Sequence, residues 1–381
     1  MTRLRSPSAP IRVLHLRDSP WVDGPGRTIL ETGAHLDPKR VEFHIGALVP
    51  PRESVHPLAE AARARNLDIV EFRDTGGIPP SLIDEIVKII DMYDINVLHS
   101  SEFRSRLIAR ICTMRRRRVH HVTTAHGWVA NTLGRKLARF ADKALLRTAE
   151  RVILVSHAMR RLVPEWWLPV DRTVVLHNAL VLHKYGAEVL ARPRRPVDSR
   201  AGVTLLNVGR LSLEKGQDML IRAVHRLLPR WPALRLRIAG IGPLEAELRS
   251  LAKQLGIESR VEFVGYVEDM PTLYYDTDLV VQASYTEGLP NVVLESAFLK
   301  APIVATAVGG TDEVVRHGES GWLIRANLDE LTDGIERFLM NPDEFVRMAE
   351  KAHEHVMANF SFDARTQRLT EMYEALLGIK A

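Results

Sequence analysis

The sequence predicts an α/β protein of two doubly wound domains in series, each a mostly parallel sheet with helices on both faces. Three observations lead there. At 381 residues the chain is longer than one core usually covers. Apolar runs of strand length alternate with helical patterns in both halves, the arrangement of a parallel sheet that receives ligands at the carboxyl ends of its strands. The alternation breaks over Leu182–Gly202, where Arg192-Pro193 and Pro196 end any period, and the boundary is placed there. The expected domains are 1–185 and 200–360, followed by a terminal helix within 361–381.

Residues 1–10 hold Pro7 and Pro10 and no periodicity, and are read as disordered. Ile11–Arg17 alternates as a strand, Asp18–Arg27 is turn-rich, and Thr28–Leu36 is helical, giving strand, glycine loop and helix in turn. Val41–Val49, Asp68–Phe72, Ile95–Ser100, Val119–Ala125, Arg151–Val155 and Thr173–Leu176 continue the strands, with Ser81–Tyr93 and Phe103–Met114 among the helices. After the break, Val203–Val208, Leu234–Ala239, Val261–Val264, Leu279–Gln282, Ile303–Ala305 and Trp322–Ile324 read as strands. Lys215–Leu228, Leu244–Leu255 and Pro290–Lys300 read as helices, and beyond Asn341 the pattern is wholly helical.

Composition is globular, with no run of apolar residues long enough to span a bilayer and no signal-peptide pattern, so a cytoplasmic protein is expected. The lone Cys112 excludes an internal disulfide framework and a Cys-rich zinc site, and reads as a small core hydrophobe. No metal-ligand cluster stands out, and His120 and His121 point to opposite faces of a strand, so no metal is expected. The net charge of +5 is concentrated in Arg115–Arg118 and in 131–150, where Arg135, Lys136, Arg139, Lys143 and Arg147 oppose Leu133, Leu137, Phe140, Ala141, Ala144 and Leu145. Two readings stay open: a solvated face over a core face, or docking on an anionic membrane surface from the cytoplasmic side. No nucleic-acid partner is expected, because no recognised binding motif interleaves with the charge.

The chemistry centres on residues 282–295, where a strand gives way to a turn and then a helix with Pro290 in its first turn. Glu287 and Glu295 bracket that turn. A loop feeding a helix N-terminus suits an anion, while carboxylates, which only accept hydrogen bonds, suit hydroxyls. The pair therefore predicts a ligand with diols at two ends and charge between. Arg210 and Lys215 leave the first strand of the second domain five residues apart, so both can swing over one anion. Gly24-Pro25-Gly26 lets backbone approach a phosphate or acceptor, with Arg27 offering a donor where Pro25 has none. Gly240-Ile241-Gly242 is read as lining a nucleotide pocket, and Gly265-Tyr266-Val267 as lying beside a base. No Walker-A pattern exists, and no dinucleotide fingerprint that a dehydrogenase would need can be assembled.

Four motifs then stand in order: Gly24–Arg27, Ala125-His126-Gly127, Asn207–Gly216, and Glu287/Glu295 followed by Val308–Glu313. In this order they resemble the retaining glycosyltransferases of family 4, densely over 203–325 and more thinly over 11–180. The resemblance implies the GT-B fold, two Rossmann-like domains facing a central cleft, with the last helix crossing back onto the first domain. It implies that Arg210 and Lys215 stabilise a leaving diphosphate, that Glu287 lies by the donor sugar, and that Glu295 lies by the nucleotide ribose. Gly209, Gly288, Leu289, Pro290, Asn291, Val292, Gly242, Tyr266 and Val267 would complete the donor site. His126 matches a histidine that faces the donor sugar across the cleft, whereas Pro25 departs from the commoner Gly-Gly pair. The implied activity is retaining hexosyl transfer from a UDP- or GDP-sugar to a glycan, lipid-linked or small-molecule acceptor in glycan biosynthesis, with no cofactor and no metal. The alternatives are a nucleotide-sugar epimerase of the same fold and a non-catalytic nucleotide-sugar-binding protein.

Overall fold

A computed structural model describes residues 9–20, 22–50, 56–126, 133–181, 196–199, 201–267 and 269–379, with the side chains of 133–139 left out. The readings for residues 1–8, for Gly127, for the break at 182–195, and for the side chains of Arg135, Lys136 and Arg139 lie outside the described residues. One compact unit joins the chain up to Ala179 with the stretch from Phe362 onward, and the other spans Leu180–Ser361.

The first unit holds a parallel sheet of β1 (Ile11–Arg17), β2 (Val41–Val49), β3 (Asp68–Arg73), β4 (Val97–Ser100), β5 (His120–Ala125), β6 (Arg151–Leu154) and β7 (Thr173–Val175), in the order β3-β2-β1-β4-β5-β6-β7. The second holds β8 (Thr204–Val208), β9 (Arg235–Ala239), β10 (Val261–Gly265), β11 (Leu279–Gln282), β12 (Ile303–Thr306) and β13 (Trp322–Ile324), in the order β10-β9-β8-β11-β12-β13. Every strand begins and ends within two residues of its expected bounds. The reason is that both faces of a parallel sheet are covered, so its strands stay apolar along their length and end where polar turns begin. In each unit the winding reverses direction once, between β1 and β4 and between β8 and β11. The carboxyl ends of strands at such a reversal leave a crevice that ligands use.

Alternation along β1 shows how the first sheet is covered. Leu14 and Leu16 join Ile83, Ile86 and Ile108 from helices Pro80–Met92 and Phe103–Arg115 on one side. Ile11 and Val13 join Leu369, Met372 and Tyr373 of helix Phe362–Leu376 on the other. Cys112 lies fully buried in the first of these clusters, and burial pushes its thiol pKa up to about 12, so it packs and does not react. The core of the second unit gathers Leu205, Leu236, Ile238 and Val281 with Leu220, Val224, Ile335 and Phe338.

The first helix corrects the expectation for the glycine loop. It runs Gly24–His35, four residues earlier than the periodicity suggested, because Asp23 caps it. The Asp23 carboxylate accepts from the Gly26 N–H at 3.0 Å, and the Asp23 carbonyl accepts from Arg27 N–H at 2.8 Å. Gly24, Gly26 and Arg27 thus form a first helical turn, and a carboxylate of the chain itself occupies the anion position at its end. The helix after Pro290 is also shorter than expected, Asn291–Phe298, with Pro290 just outside it.

Candidate active site

The four loops that follow β8, β9, β11 and β12 interlock by backbone contact. Gly240 has φ +135, and a Cβ there would lie 2.0 Å from the carbonyl oxygen of Gly209. Gly309 has φ +59, and a Cβ there would lie 2.2 Å from the carbonyl oxygen of Glu287. Gly310 N–H donates to the Gly288 carbonyl at 2.7 Å. Only glycine combines those dihedrals with that clearance, so the positions of Gly209 and Glu287–Gly288 are set by neighbours far away in sequence.

Arg210 and Lys215 stand on either side of one short turn, and each has different partners. After β8 the chain makes a single turn at Leu213–Lys215, and Gly216, in the left-handed region, then starts helix Gln217–Leu227. Tyr285 N–H donates to the Glu214 carbonyl at 2.8 Å, which lays this turn against the loop after β11. Lys215 Nζ consequently meets Glu287 Oε1 at 2.6 Å, and Ser284 Oγ donates to the same oxygen at 2.7 Å. The arginine side chain is exposed and pairs with no acidic group among the described residues. Its backbone is anchored by Gln217, whose amide Nε2 donates to the Arg210 carbonyl at 3.0 Å.

Glu295 lies little more than one turn into its helix and is 7% exposed. Tyr274 Oη donates to its Oε2 at 2.9 Å. Leu289, in the loop before the helix, is buried, and the Asn291 Oδ1 at the start of the helix is buried with no partner among the described residues. Gly242 packs its α-carbon against the backbone of Leu211 and so joins the same cluster of loops. Tyr266 and Val267 follow β10, which β9 separates from β8, and the tyrosine is largely exposed. The second unit therefore gathers Gly209, Arg210, Lys215, Gly242, Glu287 and Gly288 on interlocked loops at the reversal point, with Glu295 on the adjoining helix.

His126 directly follows β5 of the first unit, and its surroundings were not visible in the sequence. A cavity of about 10 Å³, room for one water, is lined by His15, Thr32, His99, Thr124, His126 and Arg365. His15 and His99 stack at 4.1 Å, and their outer nitrogens contact Ser101 Oγ at 2.7 Å and Thr124 Oγ1 at 2.8 Å. His126 keeps one edge partly open while its Nε2 is buried without a hydrogen-bond partner among the described residues. Burial, then the cations of Arg17 and Arg365, holds its pKa well below the usual 6.5, so the ring is neutral. Arg365 is buried, donating to Thr32 Oγ1 and the His177 carbonyl at 3.1 Å each, and burial lowers its pKa to about 10. Arg17, at the end of β1, bonds Asp23 at 2.7 Å and also Glu102. Sequence reading missed His15, Arg17, His99 and Arg365; the available hint for the first three was a histidine or arginine in an otherwise apolar strand, and Arg365, on helix Phe362–Leu376, gave none.

Two parallel sheets, each with one reversal of winding, and glycine-interlocked loops carrying cations and acids at the second reversal define a protein of the doubly wound α/β class with a candidate ligand site there. Comparison with known proteins narrows the class. A glycosyl transferase 4-like domain model matches residues 23–179, and the glycosyl transferases group 1 model matches 199–355. Together they take in most of the chain, which belongs to this glycosyltransferase family. The chain is 29% identical over 237 residues to an uncharacterized glycosyltransferase of Haemophilus influenzae, covering 61% of this chain and 64% of that protein. It is 29% identical over 248 residues to the alpha-D-kanosaminyltransferase of Streptomyces kanamyceticus, covering 63% and 64% respectively. The chain thus spans just under two thirds of the length of these relatives. The crystal structure of Anabaena HepE in complex with UDP-glucose superimposes with a TM-score of 0.80 at 18% identity, over 96% of this chain and 100% of that one, and the common fold is GT-B.

Proposed function

We propose that the chain is a retaining, metal-independent hexosyltransferase of the cytoplasm that uses a UDP- or GDP-sugar and builds a glycan, lipid-linked or small-molecule product. The observation that carries this reading is the grouping of Arg210, Lys215 and Glu287 on two touching loops at one reversal point, with Glu295 on the next helix. A diphosphate leaving group gains negative charge as the glycosidic bond breaks, and cations already in place there favour the transition state. Arg210 supplies an unpaired charge. Lys215, held on Glu287, shares its protons between that carboxylate and a phosphate oxygen. Glu287, its own charge offset, accepts from donor-sugar hydroxyls, and Glu295 accepts from a ribose diol.

In the retaining reaction the bond from sugar C1 to the diphosphate oxygen breaks, a bond to the acceptor oxygen forms on the same face, and the acceptor proton passes to the leaving phosphate. Glu287 is then an orienting and charge-stabilising group and not a nucleophile. A neutral His126 suits a hydroxyl better than a phosphate. Support for the donor class comes from the kanosaminyl transfer named for one relative and from the UDP-glucose bound by a protein of the same fold.

Thermal-shift measurements with UDP-glucose, UDP-N-acetylglucosamine and GDP-mannose test the donor, since a ligand at 100 times its Kd adds about 2.7 kcal/mol of stability. Turnover should fall about 10²- to 10³-fold in Arg210→Ala or Lys215→Ala. Wild-type rates in both variants would refute the assignment, inversion at C1 in the product would refute retention, and inactivation by EDTA would refute metal independence.

A further inference from the structure

The densest run of charge in the sequence is largely neutralised in the structure. Arg115 meets Asp84, Arg116 meets Asp91 at 2.7 Å, and Arg118 meets Asp91 at 3.2 Å and Asp94 at 2.8 Å. The surplus lies elsewhere. Between Leu133 and Arg172 the chain carries nine Lys and Arg against four Asp and Glu, a net +5 equal to that of the whole protein, so the remainder balances. Of those four acids, Asp142 is bound to Arg106, Glu150 bonds His120 at 2.8 Å, and Glu165 lies 3.7 Å from Arg160. Asp171 is exposed.

The same segment holds the most exposed aromatic residue described, Trp166 at 78%, together with Phe140 at 61% and the exposed Leu162 and Val170. The aromatic rings are contiguous. Phe140 and Trp167 rings lie 5.5 Å apart, Trp166 and Trp167 lie 5.6 Å apart, and the Arg147 guanidinium stacks 5.1 Å from the Trp167 ring. Lys143 Nζ, from the same helix as Phe140, reaches the Leu162 carbonyl at 2.5 Å. An apolar knob tipped by an indole thus has Lys143 and Arg147 against it, with the exposed Arg161 next to Leu162 in the chain. No helix among the described residues is long and apolar enough to cross a membrane.

We propose that this knob docks the chain on an anionic lipid bilayer, Trp166, Phe140 and Leu162 entering the headgroup boundary while Lys143, Arg147 and Arg161 meet lipid phosphates. Charge selects this occupant. Indoles settle at the bilayer interface, and a rim of cations adds attraction to anionic headgroups. A second copy would bring an equal positive surplus against the first, which disfavours self-association through this face. The proposal does not rest on the transferase reading, and its outcome leaves that reading untouched.

Flotation of the full chain with phosphatidylcholine vesicles, with and without phosphatidylglycerol, tests it. The protein should float with the anionic vesicles alone, and less so at high salt. Arg147→Gln and Arg161→Gln should each weaken partitioning about fivefold, the value of roughly 1 kcal/mol per cation near such a surface. Trp166→Ser should weaken it further and abolish the blue shift of tryptophan emission, whereas Arg116→Gln and Arg118→Gln should match wild type. Unchanged far-ultraviolet circular dichroism and Tm would certify folding of these surface variants. Failure of the wild type to float, flotation by Trp166→Ser and Arg147→Gln equal to wild type, or a change of sedimenting mass in the Trp166 variant would each overturn the proposal.

Discussion

Lowering the pH from 7.5 to 5.5 is expected to destabilise the first unit through its histidines. His15, His99 and His126 are held neutral by burial, well below 6.5, with neighbouring cations or imidazoles adding to the effect. His121, buried beside Arg106, is lowered to about 3. When the chain unfolds, each ring returns to about 6.5 and takes up a proton below it. The unfolded state therefore binds more protons than the folded one from pH 6.5 downward, so stability is complete above 6.5 and declines as the pH falls through it. One pH unit below 6.5 the loss is roughly 1.4 kcal/mol per histidine, or roughly 5 to 6 kcal/mol for the four. His120 runs the other way, raised by its hydrogen bond to Glu150, and offsets part of the loss. Asp68 and Asp74, lowered by His44 and Arg104, lose their stabilisation only below about pH 4, outside this window. Urea unfolding at pH 7.5, 6.5 and 5.5, with imidazole nitrogen shifts recorded on the folded protein, is the assay. Stability independent of pH across this interval, or rings of His15, His99 and His126 titrating near 6.5 in the folded state, would refute the reasoning.

Further outcomes follow from the same contacts. Lys215→Met and Glu287→Gln should be non-additive in a double-mutant cycle read by thermal unfolding, coupling by roughly 0.5 to 3 kcal/mol because each leaves the other part-buried without its partner. Gly240→Ala should destabilise by more than Gly318→Ala, since both have positive φ but only the former drives a Cβ into a carbonyl oxygen, and chemical denaturation of the pair measures the difference. Tyr274→Phe should cost roughly 1 to 3 kcal/mol by stripping buried Glu295 of a donor, and should weaken nucleotide-sugar binding in the same thermal-shift assay. Arg365→Met removes a buried cation whose hydrogen-bond partners, the Thr32 hydroxyl and the backbone carbonyl of residue 177, carry no charge; stability should hold or rise while the His126 pKa moves up, as followed by imidazole shifts.

The alternation of strand and helix was legible because a covered parallel sheet demands apolar runs of a set length, and Leu14 and Leu16 against Ile11 and Val13 show both faces of one run in use. Helix starts were less legible. At Gly24 the periodicity begins late, since the first turn is held by the Asp23 cap and not by an apolar stripe. The candidate residues Arg210, Lys215, Glu287 and Glu295 could be chosen from motif and chemistry, but their partners could not. Glu287 lies 72 residues from the lysine that pairs with it, and the arginines at 115, 116 and 118 read as free charge until Asp84, Asp91 and Asp94 are brought beside them.

By itself the sequence determined the two-sheet architecture, the order of the strands along the chain, and the candidate residues proposed to hold a diphosphate and its flanking hydroxyls. These follow from periodicity and local chemistry, which are properties of neighbours in the chain. Only the tertiary structure decided which charges are paired with each other. It also decided that Arg365, from the terminal helix, shares a cavity with His15, His99 and His126. Such pairings depend on which strand lies beside which in the sheet, and protonation depends on burial that no stretch of chain provides alone.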